Sequence, residues 1–353
     1  MQTPRPLTDS IEQISPSPIS RREFLRLGGL GFASALFPGF SRLTDQTVPL
    51  QGRVTEAKVV VFDRPSLIGN PVKTYWKDMI LSVAEATVGD EEPDHNRIWY
   101  RIEGEGYVHS GGVQPVQTRL NQPDQDIPGE GALAEVTVPF TDAHWGPGKI
   151  FPFAYRFYYE TTYWVTDLVE DERGSSWYRV QDDKWDLSFF APATHLRLIP
   201  REELAPLSPL IHPEGKRLEV RLGEQLVVAY EWKRPVFMAR AATGAVFSNG
   251  RFETPVGRHM TFHKRPTRHM AAGDLASNGY DLPGVPWISY ITEKGVAIHG
   301  TYWHNDFGRP RSHGCINLTP GAAKWIYRWT LPPVPAKTQD VYENYGTQVD
   351  VVE

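Results

Sequence analysis

The chain has 353 residues, 40% hydrophobic, 22% charged and 12% aromatic, a globular composition long enough for two or three domains. A formal net charge of −5, with Lys and Arg scattered rather than striped, argues against a nucleic-acid surface. One cysteine, Cys315, rules out an internal disulfide framework.

The first 45 residues do not read as a folded domain. Residues 1–20 are polar and rich in Pro and Ser, and SRREFLRLGGLGFASALF follows. Arg21 and Arg22, then Phe24 and Leu25, precede a short apolar run from Leu27 to Phe37. That run is too short to cross a hydrocarbon core of ~30 Å. The segment resembles a twin-arginine export signal, which implies passage through the twin-arginine translocase. The protein would then work outside the cytoplasm, in the cell wall, periplasm or at the cell surface. A solitary cysteine suits an oxidising compartment, where a second thiol would invite pairing.

Short alternating runs come next: KVVVF (58–62), KTYW (73–76), IWYRI (98–102) and GYVHS (106–110), separated by Gly, Pro and Asp clusters. Tyr, Trp, Val and Thr at alternate positions favour hairpins over helices. A weak internal repeat is visible. Thr74-Tyr75-Trp76 and Trp99-Tyr100-Arg101 are echoed by Thr162-Tyr163-Trp164 and Trp177-Tyr178-Arg179. The stretch WYRIEGEGYVHSGGVQPV resembles the end of a bacterial SH3-type barrel. Two small SH3-like β-barrel modules are therefore expected, one over 46–118 and one, with its linker, over 119–204. Their aromatics read mainly as core, with some left over for binding sugar or peptide.

From Lys216 the pattern sharpens. RLEVRLGEQLVVAYEW reads as strand, turn, strand, and VFMARAATGAV (236–246) continues as a strand. A Thr254-Pro255-x-Gly257 turn follows, then strands in VPWISYI and GVAIHGTYW, and one closing strand near the C-terminus. One helix is convincing: Thr319 is its N-cap candidate and Pro320 its first residue. Ala322, Trp325, Ile326 and Trp329 then fall at i, i+3, i+4 and i+7.

Cys315 is a reactive thiol, a metal ligand or a buried spectator. A thiol works as a nucleophile when a nearby imidazole or helix start favours its thiolate. His313 lies two residues before it, on the same face of an extended strand, and the helix begins soon after. His299 ends the strand GVAIH, and an antiparallel partner would bring it beside the sulfur as a general base. Backbone amides at the bend are natural oxyanion donors. Cys315 with His299, His304 and His313 could instead hold zinc, but there is no second thiol and no paired His helix, so no metal is expected. Two histidines with Ser312 and Asn317 are poor company for an inert core cysteine. His259, His263 and His269 read as the rim of the site rather than a metal set.

His299-Gly300 and Ser312-His313-Gly314-Cys315-Ile316-Asn317 together resemble the signature of the L,D-transpeptidase catalytic domain, over roughly 216–353. The resemblance implies a mainly β, sandwich-like domain, over 205–353 with its linker, and one helix beside the catalytic cysteine. It implies an acyltransferase that cross-links peptidoglycan through a cysteine thioester and needs no cofactor. Cys315 would be the nucleophile, His299 the proton acceptor and donor, and His313 and Ser312 would orient and polarise the site. Gly314 and the Cys315 amide would help form the oxyanion hole. Asn317, Tyr280, Lys294, Gly295, Gly300 and Arg311 would contact substrate, Tyr280 from a lid loop and Arg311 by gripping a carboxylate. Donor and acceptor stem peptides are the expected partners, and carbapenem-type β-lactams the expected covalent inhibitors. Hydrolysis of the same acyl-enzyme, an L,D-carboxypeptidase reaction, is the alternative within enzymes. A decayed, wall-binding protein is the alternative outside them.

Overall fold

The computed structural model describes residues 50–248, 250–273 and 279–353. The twin-arginine-type segment lies outside them. The protein is mainly β, as the alternating runs require. No helix among the described residues is long and apolar enough to cross a membrane.

The first seven strands run from Gln51–Val54 to Val113–Val116, and the next seven from Ala132–Val136 to Leu196–Leu198. Each set forms one sheet with the same order: third, second, sixth, fifth, fourth, first, seventh. Each also places a short 3₁₀ turn, Ser110–Gly112 or Ala193–His195, between its sixth and seventh strands. The repetition therefore covers both modules entirely, beyond the back halves that the sequence displays. Trp99-Tyr100-Arg101 and Trp177-Tyr178-Arg179 occupy equivalent fifth strands, Ile98–Ile102 and Ser176–Gln181. Thr74-Tyr75-Trp76 and Thr162-Tyr163-Trp164 do not: the first ends a third strand and the second begins a fourth. The aromatics divide. Trp99, Trp164 and Trp177 are buried, whereas Trp76, Trp145 and Trp185 are exposed.

The C-terminal part carries two five-stranded sheets. In one, Lys216–Arg221 pairs with Leu226–Glu231 and, in parallel, with Gln348–Val352. Its alternation is plain: Leu218 and Val220 face the core, while Arg217 and Arg221 point out to Glu219. In the other sheet, His263–Ala272 pairs with Tyr280–Tyr290, which pairs with Ala297–Gly300. The main core contains Val220, Val227, Trp287, Ile298, Ile316, Val349 and the buried side of the helix Pro320–Trp329. Leu133, Trp164 and Ile199 of the second repeat join it, so that module shares its core with the C-terminal sheets.

The helix begins as its sequence requires. The Thr319 side chain accepts the Ala322 amide, and Pro320 opens the first turn. Its last carbonyls are held by two buried ammonium groups. Lys264 Nζ donates to the carbonyls of Tyr327, Thr330 and Pro332, at 2.5, 2.8 and 2.9 Å. Lys216 Nζ donates to those of Leu207 and Trp329, at 2.9 Å each. A cation here satisfies orphan carbonyls and opposes the helix dipole.

Candidate active site

His299 lies on the strand Ala297–Gly300, and Cys315 immediately precedes the strand Ile316–Leu318. The two strands pair in parallel, with Ile298 opposite Ile316 and His299 opposite Asn317. The strand beside that of His299 is thus parallel, not the antiparallel partner expected. Opposed residues of a parallel pair share a face. Ile298 and Ile316 enter the main core, so Ala297, His299 and Asn317 face the other way, and Cys315 packs against the cluster that holds Ala297. A one-residue slip would pull both isoleucines out of the core, so burial fixes this register.

The approach to Cys315 is a bend, not an extended strand. Gly314 has φ +107°, a conformation that side-chain-bearing residues avoid. His313 therefore does not share the sulfur's face by strand alternation. It is exposed and stacks on Phe247, with ring centroids 4.9 Å apart, and it leans on Phe252 at 4.5 Å. A three-residue strand also separates Cys315 from the helix, so the thiol is not at the helix N-terminus.

Ser312 acts on the backbone. Its hydroxyl donates to the Cys315 carbonyl at 2.5 Å and accepts the Gly314 amide at 3.2 Å. The Gly314 N–H is therefore spent and cannot serve an oxyanion. The Cys315 amide has no hydrogen-bond partner among the described residues. Thr254, which the sequence reading placed only in a turn, clamps the same bend. It donates to the Gly314 carbonyl at 2.8 Å and accepts the Gly244 amide at 2.9 Å. Residues 242–245 zip along the other side, joining Ala242 to Asn317 and Ala245 to Ser312.

His299 is 2% exposed, and its Nδ1–H donates to the Gly300 carbonyl at 2.9 Å. Nε2 is left as the bare, basic nitrogen. Burial lowers the ring's pKa to about 4, so it is neutral over the working range. Burial also pushes the Cys315 thiol above its ordinary value, with the Ala297 amide offsetting part of this. The sulfur is only partly covered, and it points at the Gly295 carbonyl, 3.8 Å away. The resting pair is thus thiol and imidazole, not the thiolate expected from the neighbouring ring and helix.

Tyr280 lies within electrostatic reach of Cys315. It is 38% exposed, its ring centroid lies 6.3 Å from that of His313, and its hydroxyl is pushed up by burial and by Cys315. Tyr290, which the sequence reading passed over, feels Cys315 as well and stacks on His263 at 4.8 Å. Lys294 is exposed on the turn that brings Gly295 to the thiol.

Three expected substrate contacts are occupied otherwise. A Cβ at Gly300 would lie 2.7 Å from Pro286 and 2.9 Å from Pro320, so this glycine permits close packing. Arg311 donates to Asp306 at 2.9 Å and to Glu56 of the first repeat, which leaves it no carboxylate to grip at a mouth. Asn317 is 2% exposed and meets Nε2 of His304 at 3.2 Å.

The other histidines are dispersed. His259 and His263 sit on different strands, and no group of His, Cys, Asp or Glu among the described residues could hold a metal. His269 is buried rather than on a rim, between Asp182 of the second repeat, at 2.5 Å, and Asp281. Burial opposes its cation, yet the two carboxylates outweigh that and raise its pKa. A cavity of about 490 Å³ abuts the Thr292–Glu293 turn, with Arg258, Phe262 and Tyr342 on its walls and Cys315 outside it.

Residues 215–351 match the YkuD family, the L,D-transpeptidase catalytic domain. The match covers less than half of the chain. Among solved structures, the chain is similar to an L,D-transpeptidase of Enterococcus faecium, with 23% identity over 41% of this chain and 51% of that one and a TM-score of 0.30. It is also similar to one of Xylanimonas cellulosilytica, with 23% identity, coverage of 44% and 64%, and a TM-score of 0.28. An L,D-transpeptidase of Mycobacterium smegmatis is 17% identical, with coverage of 55% and 90% and a TM-score of 0.32. The chain thus spans less than two thirds of the first two structures. No curated protein matches it.

Proposed function

We propose that this protein is an exported L,D-transpeptidase that forms peptidoglycan cross-links through a thioester on Cys315. The reading is carried by one observation: Cys315 immediately precedes the strand that pairs in parallel with the strand of His299, in the register that sets His299 opposite Asn317. The bare Nε2 of His299 takes the thiol proton as sulfur attacks the carbonyl of the donor stem's third residue. The Cys315 amide donates to the oxyanion. The imidazolium then protonates the departing D-alanine amine as the C–N bond breaks and the thioester forms. An acceptor stem amine attacks this thioester, gives its proton to His299, and the thiol is restored.

Because both groups rest neutral, the proton moves within the attack and no stored ion pair is needed. Tyr280 and His313 border the nucleophile and are suited to line the donor channel, with Lys294 on the adjoining turn. Ser312 and Thr254 keep the bend in shape. The two repeats are read as SH3-like modules, and the segment around Arg21 and Arg22 as the export signal used by the twin-arginine translocase.

The test is intact-mass analysis of the full chain with a carbapenem, followed by peptide mapping. One adduct on Cys315 is expected, and none on a Cys315→Ala protein. An adduct that survives that substitution refutes the assignment. Digestion of a tetrapeptide stem with and without an added amine then separates transfer from hydrolysis. A product that never contains the amine makes the protein a carboxypeptidase.

A further inference from the structure

Residues 301–311 join the base's strand to the nucleophile's bend, yet they form no strand or helix of their own. The first repeat supplies much of what holds them. Arg53, 1% exposed, donates to the Tyr302 carbonyl at 2.5 Å. The Asn305 amide donates to the Gly111 carbonyl at 3.0 Å, and its side chain reaches the Ser110 carbonyl at 3.2 Å. Asp306, 4% exposed, takes His95 Nε2 at 2.8 Å, Arg309 at 2.6 Å and Arg311 at 2.9 Å.

The link inward from Asp306 is its main chain, not its carboxylate. The Asp306 amide donates to His304 Nδ1 at 3.2 Å, so the His304 proton sits on Nε2. Nε2 lies 3.2 Å from the nearer end of the Asn317 side-chain amide. An N–H needs an acceptor, so the amide oxygen belongs on that side and the NH₂ on the other. The far end of the amide has no partner among the described residues, and Asn317 is the register partner of His299. His304 thereby dictates which way Asn317 presents its amide on the face that carries His299.

We propose that His304 is a positioning residue for His299 and Cys315, and that its orientation is set from the first repeat through His95 and Asp306. The proposal rests on the functional reading above. It makes the first repeat a working part of the site rather than a detachable wall anchor. A buried imidazole that merely filled space would need neither a fixed tautomer nor a main-chain partner whose own side chain is tied to another module.

The test uses the full chain as wild type, His95→Ala, His95→Gln, His304→Gln and the His95→Ala/His304→Gln double variant. Carbapenem acylation of Cys315 is followed by mass, separating maximal rate from inhibitor affinity, and iodoacetamide alkylation is followed against pH. His95→Ala and His304→Gln should each slow acylation about tenfold with affinity nearly unchanged, because misplacement acts on the chemical step. The double variant should be no slower than the worse single, since both cut one chain of contacts. His95→Gln keeps a donor to Asp306 and should recover most of the rate. Wild-type rates in both singles, or losses that multiply in the double, overturn the proposal. Failure of the wild type to react with any carbapenem would sink the functional reading instead. The alkylation profile would then decide this one: a profile for His95→Ala that coincides with wild type refutes it.

Discussion

His299 and Cys315 respond to the same desolvation in opposite directions, the ring down to about 4 and the thiol upward. The acid limb of acylation should therefore fall as pH drops through about 4, where His299 takes up its proton. Acylation rates across an acid-to-neutral pH series check this, and a midpoint near the ordinary imidazole value of ~6.5 would contradict it. His299→Ala should abolish acylation at neutral pH, and near-normal reaction would move the base to His313. Glu160 offers the reverse sign. Burial, aided by Glu135, raises its carboxyl to about 7. The folded chain holds that proton where the unfolded chain has lost it, so stability declines as pH rises from the ordinary carboxylate range through about 7. Glu160→Gln should raise stability at pH ~8 by about 1–3 kcal/mol and flatten that part of the curve in thermal melts. The proposed reactive cysteine stands out in the sequence, because a lone cysteine between His313 and Asn317 is chemically odd. Its protonation state and that of His299 are not legible there, because desolvation depends on what packs from elsewhere in the chain.

At the scale of elements, the parallel pairing of Ala297–Gly300 with Ile316–Leu318 does the positioning. Sequence alone could not choose its direction. The intervening segment carries no helical pattern, and the antiparallel return expected from it is overturned by the parallel pairing. The helix is the opposite case, since its cap, opening proline and apolar spacing are all local signals. Thr319→Ala should cost about 1 kcal/mol by leaving the Ala322 amide uncapped, and thermal melting of the variant measures it. Acylation should be little changed, because the helix packs behind the strand pair through Ile326 and Trp329 and is not adjacent to the sulfur. A large loss of rate would show that the helix start tunes the thiol after all.

For the molecule as a whole, three parts meet at one buried arginine. Arg53 of the first repeat binds Asp78 at 2.9 Å, Gln114 at 2.7 Å and the Tyr302 carbonyl, and lies over the Tyr158 ring of the second repeat. Tyr158 stacks on Tyr302, and Arg156 of the second repeat reaches the same Asp78 at 3.1 Å. Arg53→Met should destabilise the protein by about 3–5 kcal/mol, because Asp78 and the Tyr302 carbonyl lose their buried partner. Calorimetry should show the change as a lowered main transition or a separate early one; an unaltered thermogram would mean that the junction is decorative. None of this junction is visible in the sequence. Arg53 is one of many scattered arginines, and its partners lie as far as 249 positions away. The repeat itself is only half legible, since strand order survives changes of side chain that erase a motif.

The two sheets share a strand order yet have taken different seats. One grips the 301–311 connection through Arg53 and His95. The other seals the long hairpin with Asp182, Asp183 and Thr162. Twins by topology, they are no longer interchangeable: a chain in which they traded places would keep every strand and lose both moorings.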